Sequence, residues 1–244
     1  MPIGISDDHA ELASAFVKWG HSLAGIAAAR AAEEVLRESF ADVSAAVAEI
    51  GLSGIAVPES SGGGGGSLLD LAVALEASAS ALVPGPLLGT AVASVVLGEA
   101  AGPVATGEMR VGFCLDQTVR VSAGRVTADL EVVHDAAGST HLLLLSDQGP
   151  LLVPLDAATV TPRLSPDLTR RVAAVSLDGV EAEPVAGVEE QALRDVLSTL
   201  AAAEASGVAR WCLDTAVEYA GMREQFGRKI GSFQAIKHLC AEML

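Results

Sequence analysis

Helical spacing of apolar residues gives way near Pro103 to short strand-like runs and returns near Val188, and this double change of texture is what most constrains the fold. From Asp7 to Ile50 the spacing predicts helices. Ser6, Asp7 and Asp8 supply a helix start, and Leu12, Phe16, Trp19 and Leu23 follow at steps of three and four. A second helix is expected over about Ala31 to Ile50, carrying Val35, Val43 and Val47 and stopping at Gly51. Between residues 109 and 182 the chain writes "MRVGFCLD", "RVTADL", "HLLLLSD" and "RRVAAVSLDGV". These runs are rich in β-branched residues and leucine and are separated by Gly, Pro and Asp, as in a small antiparallel barrel or sandwich. From Val188 the stripe Leu193, Leu197, Leu200, Val208, Trp211, Cys212, Thr215, Tyr219 predicts a long helix up to "GRKIGS", and a last helix is expected from Ser232 to Leu244. The predicted class is α+β multidomain. Residues 1–103 form an N-terminal helical domain, 104–187 a middle β domain, and 188–244 the first helices of an incomplete C-terminal bundle.

Between the first helices and the strands lies "VPESSGGGGGSLLDLAVALEASASALVPGP". Five consecutive glycines suit a flexible linker. The run is one loop long, however, and Ser67 stands where it would cap a helix beginning at Leu68, so the segment reads as a loop inside a domain. That helix is expected over 68–82, and another over 87–97.

Half of the 244 residues are apolar and only 3% are aromatic, so the core is built from small side chains. With 31 acidic against 15 basic residues the net charge is −16, which argues against nucleic acid or an anionic membrane as partner. The N-terminus lacks a secretory pattern and no run approaches the roughly 20 apolar residues of a membrane span, so a cytoplasmic location is expected. Cys114, Cys212 and Cys240 fit neither a disulfide framework nor a zinc site and are expected to be core residues. No metal site is predicted.

Against this acidic background Arg223, Arg228, Lys229, Lys237 and His238 gather near the end of the chain. They form either a solvated helix end or a site that meets an anion.

The stretch containing Tyr219, Arg223, Gln225, Phe226, Gly227, Ile230, Phe233 and Gln234 resembles the R-x-Q-F-G-x-x-I-x-x-F-Q segment of the acyl-CoA dehydrogenases. "GLSGIAVPESSGGGGGSLLDLAVALE", "ALVPGPLLGT", "GEMRVGFCLD" and "SAGRVTADLEVVHDAAGSTHLLLLS" are similar to earlier family segments in the same order, so the resemblance covers nearly the whole chain. It implies the acyl-CoA dehydrogenase-like fold and FAD-dependent α,β-dehydrogenation of an acyl-CoA thioester, from fatty acid or sterol side-chain catabolism. It also implies assembly with a same-family subunit, identical or different, and electron transfer flavoprotein or a similar acceptor. In the family this C-terminal stretch reaches FAD held mainly by the other subunit. The resemblance therefore assigns cofactor-binding roles to Arg223, Gln225, Phe226 and Gln234, with Arg223 at the diphosphate or adenine half. Such a role suits a guanidinium, which offers two parallel donors to phosphate oxygens. The helix start expected at Ser232 adds a second element that favours anions. On this reading Arg228 and Lys229 are loop charges, and Lys237 and His238 surface residues.

The sequence departs from the family at two places. The carboxylate base of most members falls in a region that residues 1–244 do not contain. The position used by a minority aligns with Leu197, followed by Ser198, so no catalytic residue is assigned; Glu204, two helical turns on, reads as a structural or interface charge. In the β domain "GFCLDQTVRVSAGR" lacks the Thr-Glu-Pro that holds the flavin ring, leaving Thr118 as the remnant. Both departures resemble degenerate halves of actinobacterial sterol side-chain enzymes, and they keep a non-catalytic partner subunit open as the alternative role.

Overall fold

The computed structural model describes residues 4–31, 33, 35 and 40–244. Helix α1 (Asp7–Ser22) begins with a capping box in which the Ser6 hydroxyl accepts from the His9 N–H while the His9 ring accepts from the Ser6 N–H. Each satisfied cap of this kind contributes about 1 kcal/mol. A short α2 (Gly25–Ala31) and α3 (Ala41–Glu49) follow. Where one helix was expected over about 31–50, α2 ends at Ala31 and the described residues carry α3 over the second half alone, with Phe40 in the left-handed region just ahead of it. Positions 32, 34 and 36–39 of that expectation lie outside the described residues.

The glycine run is a folded loop in which the amides of Gly63, Gly64, Gly65 and Gly66 donate to carbonyls of residues 54–58. It leads into α4 (Leu68–Ser80), capped as expected by Ser67 with Asp70 closing the box. α5 (Leu87–Val96) and α6 (Gly102–Ala105) complete the helical part.

The sheet contains β1 (Val111–Val119), β2 (Val121–Ser122), β3 (Arg125–His134), β4 (His141–Ser146), β5 (Gly149–Pro154), β6 (Thr159–Arg163), β7 (Val172–Glu181) and β8 (Glu183–Pro184). Its order is β6-β7-β3-β1-β4-β5-β8, with β2 on β3. Among the described residues every pair is antiparallel except β1–β4, so the sheet is mixed. β4 explains why alternation is absent from "HLLLL". Leu143 and Leu145 join Leu71, Leu75, Val92, Leu193 and Leu200 in a core between sheet and helices. Leu142 and Leu144 join Leu130, Val133, Leu151, Val153, Val175 and Leu177 in a second core drawn from strands and their loops. A sheet that buries a core against itself must curl, and a strand buried on both faces reads as a continuous apolar run.

α7 (Glu190–Met222) is one uninterrupted helix of 33 residues. It docks through Leu193, Leu200 and Gly207, which are buried, and much of its remaining surface is exposed. Each leucine contributes roughly 1.5–3 kcal/mol by burial. Gly207 lies directly against the Glu76 carbonyl of α4, where a side chain would collide with backbone. After α7 come the short strands β9 (Glu224–Gln225) and β10 (Arg228–Lys229), a 3-10 turn at Ile230–Ser232, and α8 (Gln234–Glu242). The last helix therefore starts two residues later than expected and ends at Glu242. Of the cysteines, only Cys114 is a core residue; Cys212 is exposed because it lies on the outer face of α7, and Cys240 is half-buried. No helix among the described residues is long and apolar enough to cross a membrane.

Candidate functional site: the hairpin between α7 and α8

α7 stops because the backbone turns extended at Arg223, whose carbonyl accepts from the Ile230 N–H at 2.8 Å. β9 and β10 form a hairpin pairing Gln225 with Arg228 and Glu224 with Lys229. Its two-residue loop is Phe226-Gly227, with φ of +53° and +74°. Positive φ at both central positions is what a type I′ turn demands. Gly227 meets it freely, whereas Phe226 is held in a region that side chains disfavour.

This turn holds the Phe226 ring 92% exposed. The Phe226 ring meets that of Phe233 edge-on at 6.3 Å, and the Arg228 guanidinium lies over Phe233 at 4.0 Å from its centroid. Arg223, Gln225 and Gln234 are exposed, and no side-chain hydrogen bond or ion pair engages them among the described residues. Gln234 opens α8, a helix with no side-chain N-cap. An anion meeting these residues would find a guanidinium, amide side chains and uncapped backbone N–H groups.

Between the end of α7 and α8 runs a groove of about 510 Å³, lined by Val217, Ala220, Ile236 and Cys240 with Lys229 and Lys237 at its edge. Lys237 therefore borders a concave surface, while His238 is simply exposed.

The structure separates the other sequence candidates from this hairpin. Leu197 is half-buried and packs into the core between sheet and helices, and Ser198 is exposed. Glu204 lies near the middle of α7, well before the hairpin. It is paired with Arg170 of the β6–β7 loop, whose Nε donates to it at 3.1 Å, and both side chains are about one-sixth exposed. Arg170 also donates to the Val83 carbonyl at 3.0 Å. Glu204 is thus a structural charge, and its partner is part of a cluster that sequence reading missed. The signal was the adjacent Arg170-Arg171 ahead of β7 in an acidic chain. Likewise Phe233 was visible as one of only five phenylalanines, seven residues after Phe226.

On the sheet, β1 leaves register between Cys114 and Thr118 and places Asp116 and Thr118 at the surface. Cys114 is a poor nucleophile there, because burial and the neighbouring Asp116 push its thiol up to about 12. Among the described residues no group of His, Cys, Asp and Glu is placed to hold a metal.

Comparison with known proteins agrees with this architecture. The family profile "Acyl-CoA dehydrogenase, N-terminal domain" matches residues 7–106, and "Acyl-CoA dehydrogenase, C-terminal domain" matches 197–244. The acyl-CoA dehydrogenase FadE34 of Mycobacterium tuberculosis is 41% identical over 240 residues, covering 93% of this chain and 34% of FadE34. The chain thus spans about a third of that relative. Among solved structures, the Tcur3481–Tcur3483 steroid ACAD G363A variant superposes with a TM-score of 0.82 at 26% identity, over 96% of this chain and 73% of the other. The ChsE4–ChsE5 complex from Mycobacterium tuberculosis superposes with a TM-score of 0.80 at 21% identity, over 99% and 74%, and shares the fold. Two profile matches that together cover more than half of the residues, and a fold held in common from end to end, establish that the chain belongs to the acyl-CoA dehydrogenase family.

Proposed function

We propose that the chain is a component of an FAD-dependent acyl-CoA dehydrogenase that introduces an α,β double bond into an acyl-CoA thioester, and that its hairpin is presented to FAD held largely by a neighbouring same-family subunit. Bound FAD would supply the hydride acceptor. Arg223 would hold the diphosphate or adenine half, Gln225 and Gln234 would donate amide hydrogen bonds, and Phe226 would cover a planar ring. One observation carries this reading: a strained turn holds the Phe226 ring in solvent, the most exposed of the large apolar side chains described, three positions after a guanidinium that no side chain engages among the described residues. Sites that hold such strain serve contacts made elsewhere. The same geometry fits FAD as a ligand that arrives from outside, because Arg223, Gln225, Phe226 and Gln234 are all exposed.

A fatty acyl or sterol side-chain thioester is the substrate class supported by the likeness to FadE34 and to a structure described as a steroid ACAD. Electron transfer flavoprotein or a similar acceptor would reoxidise the assembly. The base that removes the α-proton would come from outside residues 1–244, since Leu197 cannot accept a proton and Glu204 is committed to Arg170.

The second reading, a non-catalytic subunit that contributes only interface and cross-subunit contacts, is favoured by the same two residues. Flavin retained after desalting separates the readings. A chain that is yellow alone supports a self-sufficient assembly, and one that is colourless alone but yellow when combined with a same-family subunit supports the donor role. In either case Arg223→Ala should lower retained FAD by about ten- to a hundredfold, the loss expected of a charge-assisted contact worth roughly 1.5–3 kcal/mol. Unchanged flavin content in the variant would refute the assignment of Arg223.

A further inference from the structure

Two buried hydroxyls lack a partner among the described residues: Oγ of Ser44 in α3 and Oγ of Ser53 in the 3-10 turn Leu52–Gly54. Ser53 is 4% exposed. Elsewhere in the helical part buried serines turn back onto their own helix, Ser78 donating to the Ala74 carbonyl at 2.8 Å and Ser94 to the Ala91 carbonyl at 2.7 Å. Ser44 and Ser53 make no such bond. A hydroxyl taken out of water and given nothing in exchange costs its full desolvation free energy, so two in one place call for a physical account.

Both serines line the same small cavity of about 20 Å³, where α3, the 3-10 turn, the start of α5 and the segment ahead of β1 meet. Thr90 of α5 lines it as well. The Thr90 Oγ1 accepts from the Val111 N–H of β1 at 3.0 Å, and its own proton has no acceptor among the described residues. Arg110, also on the wall, donates elsewhere, through Nε to the Gly138 carbonyl and through Nη1 to the Gly107 carbonyl. Val47 and Leu87 supply apolar wall. Three hydroxyls with unused bonding capacity thus border one volume that admits a single water molecule.

We infer that this cavity is a binding site for one ordered water, held by Ser44, Ser53 and Thr90, which fastens α3 to the joint between the helices and the sheet. The water gives its two protons to the serine oxygens and receives the Thr90 proton, the three bonds typical of a buried water. Among the described residues of α3 only Val47 is buried, so apolar packing alone gives that helix little hold. Through Thr90 the same water reaches the Val111 amide at the start of β1. A dry cavity and a hydrated one differ in sign. In a dry cavity the Ser53 hydroxyl is a cost that alanine removes, whereas in a hydrated one it is a bond that alanine breaks.

The water site is independent of the flavin assignment and is tested without acyl-CoA or added flavin. A high-resolution crystal structure of the full chain should show a density peak at about 2.5–3.0 Å from the Oγ atoms of both Ser44 and Ser53. That readout needs no variant. Ser53→Ala lies outside the α-helices, so helix propensity does not mask its effect, and its melting temperature should fall by about 2–4 °C. Ser44→Ala gains helix propensity within α3, and that gain cancels in a double-mutant cycle with Ser53→Ala. The two substitutions should be non-additive, since both hydroxyls hold one molecule. The inference is overturned by a wild-type map without the peak, by a Ser53→Ala melting temperature equal to or above that of wild type, or by strictly additive effects in the cycle.

Discussion

The Arg228 guanidinium lies over the Phe233 ring, 4.0 Å from its centroid, and so ties the second strand of the hairpin to the residue that precedes α8. A charge that sequence reading left to the solvent is thereby a positioning contact for the whole turn. An exposed cation–π pair is worth about 0.5–1 kcal/mol. Arg228→Ala should raise the rate of chymotryptic cleavage after Phe226 by about two- to fivefold, the same energy expressed as a population of open hairpin. An unchanged cleavage rate would show that the pairing strands alone hold the turn.

Phe226 separates stability from function. Its positive φ costs about 1–2 kcal/mol that glycine would not incur, and its ring is nearly fully exposed, so little packing offsets that cost. Phe226→Gly should leave the melting temperature unchanged or higher while lowering flavin retention in the assembled protein. A variant that loses both would assign Phe226 a packing role.

Gly207 of α7 lies directly against the backbone of α4. A methyl group there would press on the Glu76 carbonyl, which is helix backbone and cannot turn aside. Although alanine is the better helix former by about 1 kcal/mol, Gly207→Ala should destabilise by about 1–3 kcal/mol from overpacking. In a chain of this size the melting temperature should fall by about 2–4 °C per kcal/mol. An increase would mean that helix propensity outweighs the collision.

His9 joins two helix starts, for its ring accepts from Ser6 through Nδ1 and its Nε2 lies 3.1 Å from Asp70. Asp70 closes the second capping box, and hydrogen bonds from the Ser67 hydroxyl and amide, with His9 adding to them, hold its carboxyl below the usual value. A depressed folded-state value gives stability that is present above the ordinary pKa of about 3.8 and lost as pH falls through the folded value. Asp70→Asn should therefore be less stable than wild type at pH 6, and the two should converge toward pH 3 in denaturant unfolding. Parallel acid limbs would remove Asp70 from the account.

Local features of the chain were decided by the sequence. Ser67 and Asp70 cap α4 because a hydroxyl and a carboxylate three residues apart satisfy the first amides of a helix whatever it packs against. The strands are written in β-branched runs, and the hairpin carries its own turn at Phe226-Gly227. The order helices, strands, helices, together with the Arg223 to Gln234 spacing, was enough to place the chain in its family.

Tertiary structure decided what depends on residues far apart in the chain. That Glu204 is held by Arg170, 34 positions away, follows from how the sheet meets α7. No periodicity encodes this pairing, nor the parallel pairing of β1 with β4, because both depend on the path of the chain between the elements. The upward push on the Asp135 carboxyl is likewise a property of its surroundings. Desolvation and neighbouring charge act through space, so a carboxyl that reads as an ordinary surface acid in the sequence is pushed above the usual range only once the strands and α7 close around it.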